Sequence, residues 1–224
     1  MKLIFKPFFF VEIIKHNLRI FKKKIILLVD PIIRTAPNHK FIFIHINKTG
    51  GTSIGKAIGL RRKRHLTVSQ IISKIGEQRF SNTFVFCVVR NPWDKVLSLY
   101  KYRVKTNQTN MCDNHISFNE WVKQTYGKEK NIFYYNKPLM FAPQSDWLKD
   151  KNGNLRVDKI LKFESLSDDF RDLTTFLGYN SKYLGKENST EKVNYKNFYD
   201  ESSRKIIEEW FSEDIKLFNY SFDD

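Results

Sequence analysis

Cysteine is scarce in this chain: two among 224 residues, Cys87 inside an apolar run and Cys112 in a polar one. Two thiols in such unlike settings form neither a disulfide framework nor a metal cluster, and a reducing compartment, the cytoplasm, is the expected setting. Long hydrophobic runs are lacking as well. Through residues 1–40 the uncharged stretches reach only about five residues, far below the roughly 18–20 apolar residues a membrane-spanning helix needs. The basic, apolar, small-residue order of a signal peptide is not read there either. Negative charge is the third shortage: 24 Asp and Glu stand against 39 Lys and Arg, a formal net charge of +15. A field of that sign concentrates nucleotides, acidic polysaccharide, nucleic acid or anionic lipid, and by itself it does not choose among them.

Apolar material is ample, with 41% hydrophobic and 15% aromatic residues, enough for one domain with its own core and pocket. Residues 1–39 are set apart as a basic amphipathic N-terminal extension. They mix apolar clusters, Phe8 to Val11 and Ile25 to Val29, with basic side chains. Helices around residues 8–29 that rest on the main domain are the first reading. The second is a surface in peripheral contact with an anionic membrane, at its inner face.

Residues 40–224 form the main domain. Phe41 to Ile46 is almost wholly apolar and β-branched or aromatic, the pattern of a strand buried on both faces of a parallel sheet. The loop Asn47-Lys48-Thr49-Gly50-Gly51-Thr52-Ser53 follows directly, and Ile54, Ala57 and Ile58 then suit a short helix ended by Gly59. A connecting helix is expected over Leu66 to Gly76 and a second buried strand over Thr83 to Val89. Asn91 can cap, and Pro92 can open, a helix running past Tyr102. Beyond it, the aromatic-rich stretch Phe118 to Phe141 predicts helices walling a cleft. Val157 to Phe163 predicts a third strand, Ser167 to Gly178 a helix, and Asp200 onward one last helix carrying Ile206, Trp210, Ile215 and Phe218 at helical spacing. The expected fold is α/β: a P-loop-like three-layer domain with a central parallel sheet flanked by helices.

Two adjacent glycines between a strand and a helix let backbone N–H groups crowd around an anion. The helix dipole adds only about 0.3–2 kcal/mol, so a phosphorylated donor also needs a formal cation, and Lys48 is placed to supply it. The usual NTP-binding loop sets its Lys after the second glycine and follows it with Ser or Thr for Mg²⁺. Here Lys48 precedes both glycines, and no strand-end Asp for a metal is evident, which points to a metal-free anhydride donor.

These residues carry a resemblance. Phe41 to Ser53 (FIFIHINKTGGTS) followed by Phe86 to Tyr100 (FCVVRNPWDKVLSLY) is similar to the sulfotransferases that use 3′-phosphoadenosine 5′-phosphosulfate (PAPS), in the carbohydrate branch called sulfotransferase family 2. Pro143 to Leu148, Phe163 to Leu166, Asn188 to Lys192 and Tyr195 to Tyr199 resemble features of its bacterial members, so the likeness spans roughly residues 40–222. It implies transfer of a sulfuryl group from PAPS to an acceptor hydroxyl, on a carbohydrate or glycolipid, with 3′-phosphoadenosine 5′-phosphate (PAP) as product and no metal. It also implies that Lys48, Thr49, Gly50, Gly51, Thr52 and Ser53 hold the 5′-phosphosulfate, with Lys48 neutralising the bridging oxygen as the S–O bond breaks. Arg90 and Ser98 match the 3′-phosphate site, and Ser189, Thr190 and Lys192 would close over the nucleotide. Asn47 departs from the family, where Pro is common, and is expected to loosen the loop.

The acceptor hydroxyl must lose its proton, and His65, just ahead of the connecting helix as in related sequences, is the expected general base. A solvated loop histidine is its plainer reading. His45 reads as a core residue. Arg61 to Arg64 reads as a basic turn or a cradle for an acidic acceptor, and Trp121, Tyr126, Phe133, Tyr134, Tyr135 and Trp147 as packing or as platforms for sugar rings. Two rivals stay open: a nucleic-acid or anionic-membrane binding protein, and an NTP-binding enzyme. No helix-turn-helix, zinc or RRM signature accompanies the charge, so nucleic acid is not the expected partner.

Overall fold

The computed structural model describes residues 32–60, 64–179 and 194–224. The helices expected within residues 8–29, the basic residues 61–63, and Ser189, Thr190 and Lys192 lie outside the described residues.

Numbered over the described residues, the elements are β1 (Arg34–Thr35), β2 (Lys40–Ile44), α1 (Gly51–Ala57), α2 (Val68–Ile75), α3 (Glu77–Ser81), β3 (Phe84–Val89) and α4 (Pro92–Lys105). There follow α5 (Phe118–Tyr126), α6 (Pro138–Phe141), α7 (Gln144–Leu148), β4 (Lys159–Lys162), α8 (Leu166–Phe176), α9 (Glu201–Trp210) and α10 (Ser212–Phe218). The sheet order is β1-β2-β3-β4. β2, β3 and β4 are parallel, in register Phe41 with Phe84 and Phe86 with Lys159, and β1 is antiparallel to β2.

Alternate residues of the central strands feed two separate cores, which is why β2 and β3 carry no polar face. Ile42, Ile44, Val85, Cys87 and Val89 meet Val68 and Ile71 of α2, Trp147 of α7 and Phe218 of α10 on one side. Phe41, Phe86, Val88 and Leu161 meet Ile54 of α1 and Phe170 and Leu173 of α8 on the other. Helix, sheet, helix is the three-layer α/β arrangement expected. A further apolar cluster joins α4, α5 and α9 through Trp93, Leu97, Trp121 and Ile207 beyond the sheet. Trp121, Tyr126 and Trp147 are buried in these cores and act as packing, whereas Phe133 is exposed and Tyr134 and Tyr135 are half-buried.

Two features differ from the sequence expectation. The C-terminal helix is not continuous: it turns at Phe211 (φ −105°, ψ 22°), and the second piece, α10, carries Asp214 inward to complete burial. The polar pair Arg34–Thr35 joins the sheet as an edge strand, too short for any periodicity to announce it.

Candidate functional site

Because β2, β3 and β4 run parallel, their C-terminal ends lie side by side, where open α/β sheets place ligands. The loop after β2 holds residues 45–50, the loop after β3 holds Arg90 and Asn91, and the loop after β4 holds Phe163 and Glu164.

The first loop is tightly built. Lys48 has φ 66° and Gly50 φ 80°, both left-handed. For a lysine that conformation costs about 1–2 kcal/mol, and it turns the chain so sharply that α1 starts at Gly51. Thr49 Oγ1 donates to the Ile46 carbonyl (3.0 Å) and Asn47 Nδ2 donates to the Met140 carbonyl (3.0 Å). Asn47 therefore tethers the loop to α6 where looseness was expected. Both glycines are sterically required: a Cβ on Gly50 would lie 2.8 Å from Leu166 Cδ2, and one on Gly51 would overlap the His45 ring. Thr52 and Ser53, both half-buried, occupy the first turn of α1, where the Ser53 N–H donates to the Gly50 carbonyl (3.0 Å).

Arg90 crosses from the second loop to the first. Its Nε and Nη2 both reach Asp94 Oδ2 at 2.8 Å, its Nη1 donates to the Lys48 carbonyl (3.0 Å), and its guanidinium lies 4.0 Å from the centroid of the Phe163 ring. Of five N–H donors, two, one on each terminal nitrogen, have no acceptor among the described residues. Asn91 caps α4, its Oδ1 accepting from Trp93 N (3.1 Å), with Pro92 in the first turn as expected.

Positions 90, 94, 98 and 102 recur every four residues, so Asp94, Ser98 and Tyr102 form one stripe along α4 that Arg90 leads into. The Lys48 ammonium sits 4.4 Å from the centroid of the Tyr102 ring, while the Lys48 carbonyl is held by Arg90. Lys48 thus meets Arg90 at its carbonyl and Tyr102 at its ammonium, and Ser98 lies between Asp94 and Tyr102 on the same stripe of α4. Asp94 and Tyr102 were not singled out from the sequence, although the four-residue spacing from Arg90 was the signal for both.

His65 lies next to this loop. Its Nδ1 is 2.9 Å from the His45 carbonyl oxygen, its ring is 4.5 Å from the His45 ring, and Trp147 meets it edge-on at 6.1 Å. A carbonyl only accepts, so Nδ1–H donates and Nε2 is left as the basic nitrogen. His45 itself is buried with its ring against Gly51, the core residue expected. Thr67, two residues on, caps α2 through a reciprocal bond with Gln70 and so fixes where the segment carrying His65 ends.

Lys95 and Asp214 are both fully buried. Burial lowers the Lys95 ammonium to about 8, against the pull of the Asp214 charge, and burial raises the Asp214 carboxyl despite the N–H groups of Ser145 and Gln144.

The profile of the sulfotransferase family matches residues 31–221, from the edge strand through the last helix. The chain belongs to the sulfotransferase family. An uncharacterized protein of Archaeoglobus fulgidus is 28% identical to this sulfotransferase over 127 residues, 56% of this chain and 93% of that protein. A sulfotransferase of Alicyclobacillus acidocaldarius, known from its crystal structure, is similar at a TM-score of 0.40 and 16% identity over 79% of this chain and 83% of that one. The family's reaction class, sulfuryl transfer to an acceptor, is therefore this chain's. No helix among the described residues is long and apolar enough to cross a membrane.

Proposed function

We propose that the sulfuryl donor is PAPS and that the acceptor is a hydroxyl of a carbohydrate or glycolipid. What supports the donor is that Arg90 holds the Lys48 carbonyl at the head of the α4 stripe that carries Ser98, with two N–H groups of Arg90, one on each terminal nitrogen, lacking an acceptor among the described residues. That pair suits the two oxygens of a terminal phosphate, a fork that a lysine could not offer. In this reading the 3′-phosphate lies on Arg90 and Ser98. The 5′-phosphosulfate lies in the loop of Lys48, Thr49, Gly50, Gly51, Thr52 and Ser53, and Ser189, Thr190 and Lys192 close over the nucleotide.

The acceptor oxygen attacks sulfur, its proton passes to His65 Nε2, and the bond from sulfur to the 5′-phosphate oxygen breaks, leaving PAP. Lys48 supplies positive charge to that departing oxygen, whose negative charge grows as the bond lengthens. Nδ1–H, held on the His45 carbonyl, steadies the imidazolium that forms. Within residues 1–39, the part ahead of the edge strand β1 would make the peripheral contact with an anionic membrane, in the cytoplasm.

The test is transfer of labelled sulfate from PAPS to a broad panel of oligosaccharides and glycolipids. Labelled product with at least one glycan, and none without enzyme, is expected. PAP binding with no transfer to any acceptor would assign the chain to an inactive member of the family.

A further inference from the structure

The backbone at Arg90 is held by a side chain. β3 ends at Val89, which gives its carbonyl to Phe163 N (2.8 Å), and the next residue has left the ladder. There Gln144 takes the place of a neighbouring strand: its Oε1 accepts from Arg90 N (2.9 Å) and its Nε2 donates to the Arg90 carbonyl (2.8 Å).

A primary amide can turn over and exchange these roles, and Asp214 forbids it. Asp214 Oδ2 accepts from the same Nε2 (3.2 Å) and from Gln144 N (2.7 Å), while Oδ1 accepts from Ser145 N (2.8 Å). Each oxygen of Asp214 already accepts from a backbone N–H, Oδ2 from Gln144 and Oδ1 from Ser145, so the amide nitrogen faces it and the amide oxygen is left for Arg90 N–H. Gln144, Ser145 and Asp214 are all fully buried, and the positive charge facing Asp214 is Lys95. The bonds Arg90 donates to Asp94 and the Lys48 carbonyl, and its contact with the Phe163 ring, orient the guanidinium but do not set where its Cα stands.

We infer that Gln144 and Asp214 are positioning residues for recognition of the donor's 3′-phosphate, acting through the backbone of Arg90. The inference rests on the reading of Arg90 as a 3′-phosphate ligand. A pair serving only the fold would, when disturbed, weaken every nucleotide alike. A pair that places Arg90 acts on the part of the affinity owed to the 3′-phosphate alone.

The experiment is calorimetric titration of the full chain with PAP and with adenosine 5′-monophosphate, which lacks that phosphate. It is run on the wild type and on Arg90→Ala, Gln144→Leu, Gln144→Glu and Asp214→Asn. Gln144→Leu removes both bonds to Arg90. Gln144→Glu keeps an acceptor for Arg90 N but sets a second carboxylate against Asp214, and Asp214→Asn frees the amide to turn over. Misplacing a charged contact by about 1 Å is enough to cost up to about a hundredfold, so the preference for PAP over the monophosphate should fall about tenfold or more in each Gln144 variant, with monophosphate affinity within about twofold of wild type. Asp214→Asn should do the same to a smaller extent.

A wild type that binds both nucleotides equally would remove the reading of Arg90 itself. A wild type whose preference is lost in Arg90→Ala but kept in full in the Gln144 and Asp214 variants would overturn the positioning inference alone. Equal weakening of both nucleotides would overturn it too, as would variants too poorly folded by circular dichroism to titrate.

Discussion

Replacing Lys95 by methionine should stabilise the protein, and by an amount that depends on pH. The ammonium is fully buried, 5.4 Å from the Phe211 ring centroid, and its Nζ has no hydrogen-bond acceptor among the described residues. Burial lowers it from the ordinary lysine value of 10.5 to about 8. At 1.36 kcal/mol per pH unit, keeping it charged in the folded state costs on the order of 3 kcal/mol. Methionine has a similar length and no charge to desolvate. That cost is already net of the attraction of Asp214, which keeps the N–H groups of Gln144 and Ser145 and the Gln144 amide, so the net gain should be up to about 3 kcal/mol.

The sign with pH follows from proton counting. Below about pH 8 lysine is charged both folded and unfolded, and the cost is fully present. Between about 8 and 10.5 the folded protein has released the proton and the unfolded chain has not, so wild-type stability from this group rises with pH. Thermal melts of wild type and Lys95→Met at pH 7 and pH 10 read the difference, at about 2–4 °C per kcal/mol for a chain of this size. The variant should melt higher at pH 7, with a smaller gap at pH 10. A variant that melts lower at pH 7, or a gap independent of pH, would refute the reasoning.

Three further outcomes are expected. Lys48→Ala should lower turnover about 10²–10³-fold, the scale for one preorganised charge-stabilising donor, with PAP binding partly retained; turnover near wild type refutes its role. Arg90→Ala should weaken PAP by about 2–5 kcal/mol in calorimetry, the scale for truncating a buried, hydrogen-bonded charge partner, and unchanged affinity would remove the 3′-phosphate assignment. Gly51→Ala drives a methyl into the His45 ring and should destabilise by about 1–3 kcal/mol in denaturant melts, whereas Gly55→Ala, whose methyl would meet Leu60 Cδ1 at an ordinary 3.4 Å, should be neutral or stabilising. Equal effects of the two glycine substitutions would count against the packing described.

The parts of the fold that the sequence discloses are those where local chemistry and burial coincide. β2 and β3 are apolar at every position facing either core, so their runs are unbroken and read directly as strands. The Gly-Gly loop and the Asn91-Pro92 cap announce the starts of α1 and α4 because each motif acts within a few residues. Lys48, Arg90 and Ser98 became legible as a group only through resemblance, since no local pattern states that two strand ends are neighbours.

What stayed hidden depends on distance along the chain. Gln144 meets Arg90 across 54 residues and Asp214 across 70, Glu164 Oε1 accepts from Asn91 N across 73, and Tyr195 Oη accepts from Asn91 Nδ2 across 104. Asp214 sits in a helical pattern that reads as one continuous stripe, so nothing local announces the turn at Phe211 that carries it inward. Asp94 was within reach of inspection, four residues after Arg90, but a surface pair at that spacing is common and its role needed the Lys48 carbonyl and the Phe163 ring to be seen beside it.

The most direct test of the donor assignment is calorimetric titration of the purified protein with PAP beside ATP and Mg²⁺, at moderate salt so that the charge of +15 does not collect anions indiscriminately. A sulfonucleotide site predicts PAP binding at about micromolar or tighter, with ATP at least about tenfold weaker. ATP binding as tightly as PAP, or more tightly, would contradict it.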